Sequence, residues 1–288
     1  MDRRDALKML AFSGLAGPAL SACSRLELFD TIAPRDRGAG RVAEGLSYGD
    51  HPRQKLDIYA PPSPHDAPVI VFFYGGSWNS GDRVDYGFLG TALAAQGFVT
   101  VLPDYRLVPE VRFPAFVQDG AAATAWVSRE IGRFGGDGNR VVLSGHSAGA
   151  YIASMVSLAP VYLEQAGSKA RLRGFAGLSG PYDFLPFKYP TIVEAFGSWP
   201  RPEETQPLNQ VHRGAPPGLL LHGLADTTVP PHDSIVLAER LKAAGDDVEL
   251  ITYEGVDHVD VMLALSMPFR DRANSLADFT RFARRVTA

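Results

Sequence analysis

The sequence contains only one cysteine, Cys23, and no uninterrupted apolar run of the length that a membrane-spanning helix needs. A single cysteine excludes an intramolecular disulfide. The formal net charge is only −4, and this weak negative balance gives no reason to expect a nucleic-acid partner. The composition, 45% hydrophobic and 21% charged, is that of an ordinary globular protein with enough apolar residues for one core.

Residues 1–22 have the features of an export signal. Residues 2–8, DRRDALK, resemble a twin-arginine signal, and a short apolar stretch broken by glycine and proline follows. The next residues, LSAC, resemble the lipobox of a bacterial lipoprotein, which implies cleavage before Cys23 and lipid on its sulfur. We therefore expect an exported protein on the periplasmic side, lipid-anchored at Cys23, with Ser24 favouring the outer membrane. A signal without lipidation and an uncleaved apolar N-terminus are the alternatives.

The remainder divides into a tether and one α/β domain. Residues 23–44 are mostly polar and contain Pro34 and Gly38, which predicts a tether. Residues 45–61 predict an opening antiparallel hairpin. Buried strands then alternate with amphipathic helices, which predicts a mostly parallel sheet with helices on both faces over residues 45–288. Strands are predicted at 69–73, 98–102, 141–143, 173–178, 218–221 and 248–253, and helices at 86–96, 115–134, 150–160, 233–244 and 272–286. A segment rich in proline and aromatic residues, about 185–212, is predicted to form a small lid.

The sequence GHSAG at residues 145–149 follows an apolar strand and precedes a helix. This is the context in which G-x-S-x-G forms a nucleophile elbow, a strained turn that lifts a serine out of the sheet. Gly145, Ala148 and Gly149 are small enough for such a turn. Ser147 is therefore the candidate nucleophile.

A serine nucleophile needs a base, and the base needs an orienting acid. Asp226 lies just past the strand at 218–221, and His258 lies in the loop after the last strand. Because sites in open parallel sheets lie at the carboxyl ends of the strands, both are predicted to meet Ser147 there. Asp183, which also follows a strand, is the alternative acid.

The tetrahedral intermediate needs N–H donors for its oxyanion. One donor is expected from Ala148, directly after the nucleophile. The other is expected from the glycine-containing loop after the first parallel strand, at Gly75, Gly76 and Ser77. The predicted pocket residues around this centre are Tyr74, Trp78, His146, Phe187 and Trp199.

These motifs together resemble the α/β-hydrolase superfamily, and within it the carboxylesterases of the hormone-sensitive-lipase type. The matching pieces are YGGSW at 74–78, DYRLVPE at 104–110 with FPA at 113–115, the elbow, and the chain order Ser147, Asp226, His258. In this family the first motif normally begins with histidine and has a third glycine, where this sequence has Tyr74 and Ser77. The long N-terminal cap of the lipase-type members is absent. Residues 48–57, YGDHPRQKLD, look more like prenylcysteine methylesterases and kynurenine formamidases.

The resemblance implies an α/β-hydrolase fold and a serine carboxylesterase that works through an acyl-enzyme. Because the lipase-type cap is absent and the large side chains Phe187, Phe196 and Trp199 lie in or beside the segment 188–211, we expect small, short-acyl esters as substrates. An arylformamidase of the same fold is the alternative, and a non-catalytic binding protein on this scaffold is a further one. The expected partner is a small-molecule ester, with membrane contact only through the lipid anchor. No cofactor and no metal is expected, because no His, Cys and carboxylate cluster has metal-ligand spacing.

Overall fold

The computed structural model describes residues 22–288, with the side chains of residues 26–288. Within this range eight strands form one sheet in the order β1-β2-β4-β3-β5-β6-β7-β8. The strands are β1 (Gly40–Ser47), β2 (Lys55–Ala60), β3 (Ala67–Phe73), β4 (Val99–Pro103), β5 (Gly136–His146), β6 (Leu172–Leu178), β7 (Gly218–Gly223) and β8 (Val248–Tyr253).

The sheet is parallel from β3 to β8, and only β1 and β2 run antiparallel to their neighbours. Strands β3, β4 and β7 are buried along almost their whole length, which explains why they appear in the sequence as continuous apolar runs. The predicted opening hairpin and the mostly parallel sheet are confirmed. All carboxyl ends of the parallel strands therefore face one edge, where the candidate catalytic residues lie.

The helices cover the two faces of the sheet. The α-helices are α1 (Ala22–Ile32), α2 (Gly87–Ala94), α3 (Ala115–Glu130), α4 (Ala148–Leu158), α5 (Val161–Gln165), α6 (Pro190–Phe196), α7 (His232–Ala244), α8 (Asp260–Leu263) and α9 (Ser275–Thr287). Short 3-10 helices lie at Arg83–Tyr86, Ile131–Phe134, Pro202–Thr205, Pro207–Gln210 and Met267–Phe269. The predicted helix at 115–134 thus ends as a 3-10 turn, which Gly135 closes at φ 76°.

The segment predicted as a tether, residues 23–44, contains two packed elements. Helix α1 lies against the domain through Phe29, whose ring centroid is 5.1 Å from that of Phe88 and 5.6 Å from that of Phe269. Asp30 Oδ1 accepts a 2.6 Å hydrogen bond from Phe88 N. Strand β1 then begins at Gly40. The tether interpretation missed this because residues 23–44 as a whole are mostly polar, and only a few apolar side chains attach α1 to the core.

The predicted lid contains α6 and two 3-10 turns. Phe196 at the end of α6 is fully buried, and its ring lies 4.8 Å from Trp78 and 5.4 Å from Tyr151. The hydroxyl of Tyr151 in helix α4 donates a 2.7 Å hydrogen bond to Thr205 O. The lid is therefore fixed to the helix that follows the elbow. Across residues 22–288, no helix has the length and apolar character needed to cross a membrane.

Candidate active site

Ser147 lies at the sharp turn between β5 and α4, with φ 55° and ψ −122°. A positive φ is costly for a residue with a side chain and persists only where the surroundings impose it. A Cβ on Gly149 would lie 2.0 Å from Phe73 O, and one on Gly145 would lie 2.3 Å from the carbonyl carbon of Gly149. Only glycine allows this close packing of α4 on β3, and the packing holds Ser147 in its turn.

His258 and Asp226 form the acid–base pair at the same sheet edge. His258 Nδ1 donates to Asp226 Oδ2 across 2.7 Å, and the carboxylate is fully buried. The other oxygen of Asp226 accepts hydrogen bonds from Thr228 N and Val229 N, both at 2.9 Å. Ser147 and His258 line one cavity. Their side chains are not hydrogen-bonded to each other in the described structure, as is common in catalytic sites without substrate.

The Asp226 carboxylate is held ionised. Burial favours the neutral form, but hydrogen bonds from His222, His258 and Val229 N outweigh this effect and lower the pKa of Asp226 below its usual range. His222 Nε2 lies 3.2 Å from Asp226 Oδ2 and 3.0 Å from Val229 O, while its Nδ1 contacts Ser234 Oγ at 2.7 Å. His222 therefore helps to position the loop after β7 that carries Asp226.

The alternative acid, Asp183, does not contact His258. Its side chain is exposed, and its backbone N–H donates to Asp233 Oδ2 across 3.2 Å. The side chain of Asp257 binds the backbone that follows His258, since its Oδ1 accepts hydrogen bonds from Val259 N and Asp260 N. The structure thus places Asp226, and neither of these carboxylates, at the Nδ1 side of the base.

His146 supports the base from the elbow. Its Nε2–H donates to His258 O across 2.8 Å, and the two rings lie 4.8 Å apart. Burial and the neighbouring His258 lower the pKa of His146 to about 3. His146 is consequently neutral at neutral pH, and its ring helps to fix the loop that carries His258.

The loop after β3 lies beside the nucleophile. Gly75, Gly76 and Ser77 share a cavity wall with Ser147, and Ala148 follows Ser147 at the start of α4. Gly76 has φ 129° and Ser77 has φ 51°. Asn79 N and Ser80 N both donate to Gly76 O at 3.0 Å, which fixes this turn. The structure therefore brings the four predicted oxyanion-hole residues together around Ser147.

Tyr74, predicted as a pocket residue, lies beneath this loop and lines neither cavity at Ser147. Its ring stacks between Tyr86 and Tyr105 at centroid distances of 5.5 and 4.8 Å. Its hydroxyl donates to Asp104 Oδ1 at 2.9 Å and accepts from Arg53 at 2.7 Å. The physical reason is that the buried Asp104 carboxylate needs hydrogen-bond donors. Tyr74 supplies one of these donors, and its side chain therefore lies beneath the loop instead of lining a cavity.

Two cavities open on either side of Ser147. The first, of about 390 Å³, is here called the α1 cavity and also contains His258, His146 and the oxyanion loop. Its apolar wall consists of Leu26, Phe29, Tyr86, Val259, Met262 and Leu263. The second, of about 570 Å³, is called the lid cavity and is lined by Trp78, Ala148, Phe184, Leu185, Pro186, Tyr189 and Ile192 among others. An ester bound at Ser147 can therefore place one part in each cavity.

Phe187 and Trp199, also predicted as pocket residues, line neither cavity. Phe187 packs against Phe184 and Phe196 at ring distances of 6.1 and 5.9 Å. Trp199 packs 5.0 Å from Phe113 and donates its indole N–H to Glu204. Aromatic rings pack efficiently on each other, and a partly buried indole needs an acceptor, so both residues serve to hold the lid together.

Several residues that line the two cavities were not predicted from the sequence. Leu26 and Phe29 were assigned to the tether, and Phe184 lies just outside the segment predicted as the lid. Met262 and Leu263 belong to a helix of four residues, which is too short for a clear periodic pattern. The part of the chain that the structure describes contains no group of three or more His, Cys, Asp or Glu able to hold a metal ion.

The geometry predicts that Asp226 and Asp183 differ in their importance for turnover. Asp226→Asn should lower turnover about ten-thousandfold, because an amide no longer fixes the tautomer of His258. Asp183→Asn, the matched control, should lower it by less than about tenfold, because Asp183 makes no contact with the base. Steady-state kinetics on a soluble ester, with circular dichroism to verify folding, measures both. The opposite ranking would assign the acid to the loop after β6.

Comparisons with known proteins agree with this architecture. The chain is 32% identical over 263 residues to a probable isoprenylcysteine α-carbonyl methylesterase of Arabidopsis thaliana, covering 83% of this chain and 62% of the relative. It is 32% identical over 236 residues to the esterase LipC of Mycobacterium tuberculosis, covering 73% of this chain and 58% of the relative. The chain thus spans about three fifths of the length of these curated relatives.

A solved structure of Thermogutta terrifontis esterase 2, phosphonylated by sarin, superposes with a TM-score of 0.69 at 26% identity. The match covers 85% of this chain and 92% of that chain. The model of the BD-FAE family matches residues 56–241, which run from β2 through the elbow into α7. The resemblance to α/β-hydrolase esterases is confirmed, and the chain belongs to the BD-FAE family.

Proposed function

We propose that the protein is a serine carboxylesterase. The observation that carries this proposal is Ser147, held at positive φ in a cavity that it shares with His258, the partner of Asp226. The esterase names of the relatives support the same reaction class. Among the described residues that line the two cavities, none favours a formamide over an ester.

The reaction follows from the positions of these groups. Ser147 Oγ attacks the ester carbonyl while His258 takes its proton. The oxyanion is stabilised by N–H groups of the loop at 76–77 and by Ala148 N, which are held in place before the substrate arrives. His258 then gives its proton to the leaving alcohol, and water, activated by His258, hydrolyses the acyl-enzyme.

The two cavities suggest how the ester is oriented. His258 must reach the oxygen of the leaving alcohol, and it lines the α1 cavity but not the lid cavity. Ala148 lines only the lid cavity. We therefore assign the alcohol portion to the α1 cavity and the acyl portion to the lid cavity, where Trp78 and Phe184 provide apolar contact.

The proposal includes a preference for short acyl chains. It rests on residues other than Phe187 and Trp199, which line neither cavity. Phe184 and Ile192 line the lid cavity, whereas Phe187 and Trp199 pack behind it. Each methylene that an apolar cavity accepts adds roughly 0.8 kcal/mol of burial. A side chain that ends the cavity removes this gain for longer chains, and we take Phe184 as the candidate for this role.

For location, we propose export and lipid attachment at Cys23. The twin-arginine-like residues 2–8 and the lipobox-like LSAC support this proposal. Residues 1–21 of the predicted signal, which spans 1–22, lie outside the described residues, and so does the side chain of Cys23. Attachment there would place the lipid three residues before Leu26, next to the α1 cavity.

The nucleophile is tested by Ser147→Ala. Loss of the hydroxyl should abolish covalent labelling by a fluorophosphonate and lower p-nitrophenyl butyrate turnover by about a million-fold, because no other group forms the acyl-enzyme. A panel that includes phenyl acetate and N-formylkynurenine identifies the preferred substrate class. Wild-type-like labelling of the folded alanine variant would contradict the assignment.

The acyl limit is tested on a series of p-nitrophenyl esters from acetyl to decanoyl. The wild-type kcat/KM should peak between acetyl and butyryl, and Phe184→Ala should move the peak to longer chains by freeing space in the lid cavity. Trp199→Ala is the control, since Trp199 lines neither cavity and should leave the peak in place. A rate that rises through decanoyl in the wild type would show that the lid cavity is open.

The anchor is tested by Cys23→Ala in a bacterial host that processes lipoproteins. The wild type should fractionate with membranes and carry added mass at Cys23, whereas the variant should be soluble, because several acyl chains hold a protein firmly. Mass spectrometry and fractionation measure both effects. Unmodified, wholly soluble wild-type protein would contradict the lipid anchor.

A further inference from the structure

The α1 cavity contains a carboxyl group that the hydrolytic mechanism does not use. Asp85 lies in the 3-10 helix Arg83–Tyr86 and lines the cavity together with Ser147. It is only 5% exposed. Among the side chains of residues 26–288, none forms a hydrogen bond or an ion pair with the Asp85 carboxylate. A buried acceptor group of this kind is costly unless something pairs with it.

The nearby arginines are already engaged. Arg83, on the same 3-10 helix, pairs with Asp57 at 2.8 Å and with Asp104. Arg35 pairs with Asp30 at 2.6 Å. Among the side chains of residues 26–288, no lysine or arginine lines the α1 cavity, so these residues supply no cation to Asp85 from that side. A positive charge that enters with the substrate would meet an unpaired carboxylate.

The rest of the α1 cavity also suits a cation whose charge is surrounded by apolar groups. Phe29 and Tyr86 line the same wall as Asp85, and Leu26 and Met262 add apolar contact. Aromatic rings attract ammonium groups, and a carboxylate beside them adds ionic attraction. A volume of about 390 Å³ accommodates a small alcohol portion with a charged head.

We propose that Asp85 is the counter-ion for a positively charged alcohol portion of the ester, so that the enzyme prefers esters of amino or quaternary-ammonium alcohols to their neutral isosteres. This inference rests on the proposed esterase function and on the assignment of the alcohol portion to the α1 cavity. Asp85 binds substrate away from the reacting atoms and therefore determines specificity, while Ser147, His258 and Asp226 perform the chemistry.

The preference should depend on pH. Burial, and then the surrounding carboxylates, raise the pKa of Asp85 to about 7. Below that value Asp85 is neutral and offers no counter-charge, and above it the carboxylate forms, so the preference for the cation rises with pH. Among residues 26–288, the charged and titratable groups facing Asp85 are Glu27 and Asp30 of α1, Asp82 and Arg83 of its own turn, Tyr86, Asp104 after β4, and His146 and His258 across the cavity.

The test compares butyrylcholine with 3,3-dimethylbutyl butyrate, two esters of the same shape that differ in one positive charge. Wild-type kcat/KM should be about tenfold higher for butyrylcholine than for the neutral ester near pH 8. This ratio should be several-fold smaller near pH 6. Because the quaternary ammonium does not titrate, the change with pH reports on the enzyme. Both measurements use constant ionic strength.

Asp85→Asn should lower this ratio to near one at every pH, because the amide keeps the shape and removes the charge. Asp82→Asn is the matched control. Asp82 is 41% exposed, lies outside the α1 cavity and accepts from Val84 N, a cap that asparagine also provides. This control should keep the preference near pH 8. Its pH dependence should move to lower pH, because the charge of Asp82 helps to raise the pKa of Asp85.

Inhibition by tetramethylammonium chloride provides a second measurement. The ion should compete with 3,3-dimethylbutyl butyrate in the wild type and several-fold more weakly in Asp85→Asn, with potassium chloride as the salt control. A wild-type ratio near one at pH 8, or an unchanged ratio in Asp85→Asn, overturns the counter-ion role while the esterase function stands. Hydrolysis of neither ester, combined with no labelling at Ser147, overturns the proposed function itself.

Discussion

The close packing of helix α4 on strand β3 is the constraint on which the site depends. Gly149 lies so near Phe73 O that a Cβ would be 2.0 Å from the oxygen. This contact fixes the start of α4 directly behind the loop at 74–78. Ser147, the residue before the helix, then has to turn with φ 55°. The strain at the nucleophile is thus imposed by the sheet and helix around it.

The base and the acid depend on a second set of contacts at the same sheet edge. Asp226 is held by two backbone N–H groups on one oxygen and by His258 on the other. His222 lies behind the acid and His146 behind the base, so each member of the pair has its own support. Catalytic geometry needs such support because a small displacement of the base is costly in rate. Ser147 and His258 therefore reach into the cavity from positions that the surrounding fold determines.

The walls of the two cavities come from segments outside the sheet. The lid cavity is closed by residues 184–192, and the α1 cavity is closed by Leu26 and Phe29 of a helix at the beginning of the described chain. Such peripheral segments are free to differ while sheet and triad stay the same. In this protein they place aromatic rings in the same wall of the α1 cavity as Asp85. We infer that this wall determines which substrates bind. An attachment at Cys23 would bring the same wall close to a membrane surface.

The sequence by itself determined the order of the strands and of the longer helices of the α/β domain, the elbow at Ser147, and the partners Asp226 and His258, because buried strands and a glycine-flanked turn leave local patterns. It also indicated the loop at 75–77. It did not determine which large side chains face the cavity. Tyr74, Phe187 and Trp199 were predicted there from size and position, yet each packs against other aromatic rings or serves a buried polar group. Leu26, Phe29 and Asp85 line the cavity only through contacts between segments far apart in sequence. Tertiary packing decided these positions, because the direction of a side chain in a loop or an isolated helix depends on the surface it meets, which no local pattern records.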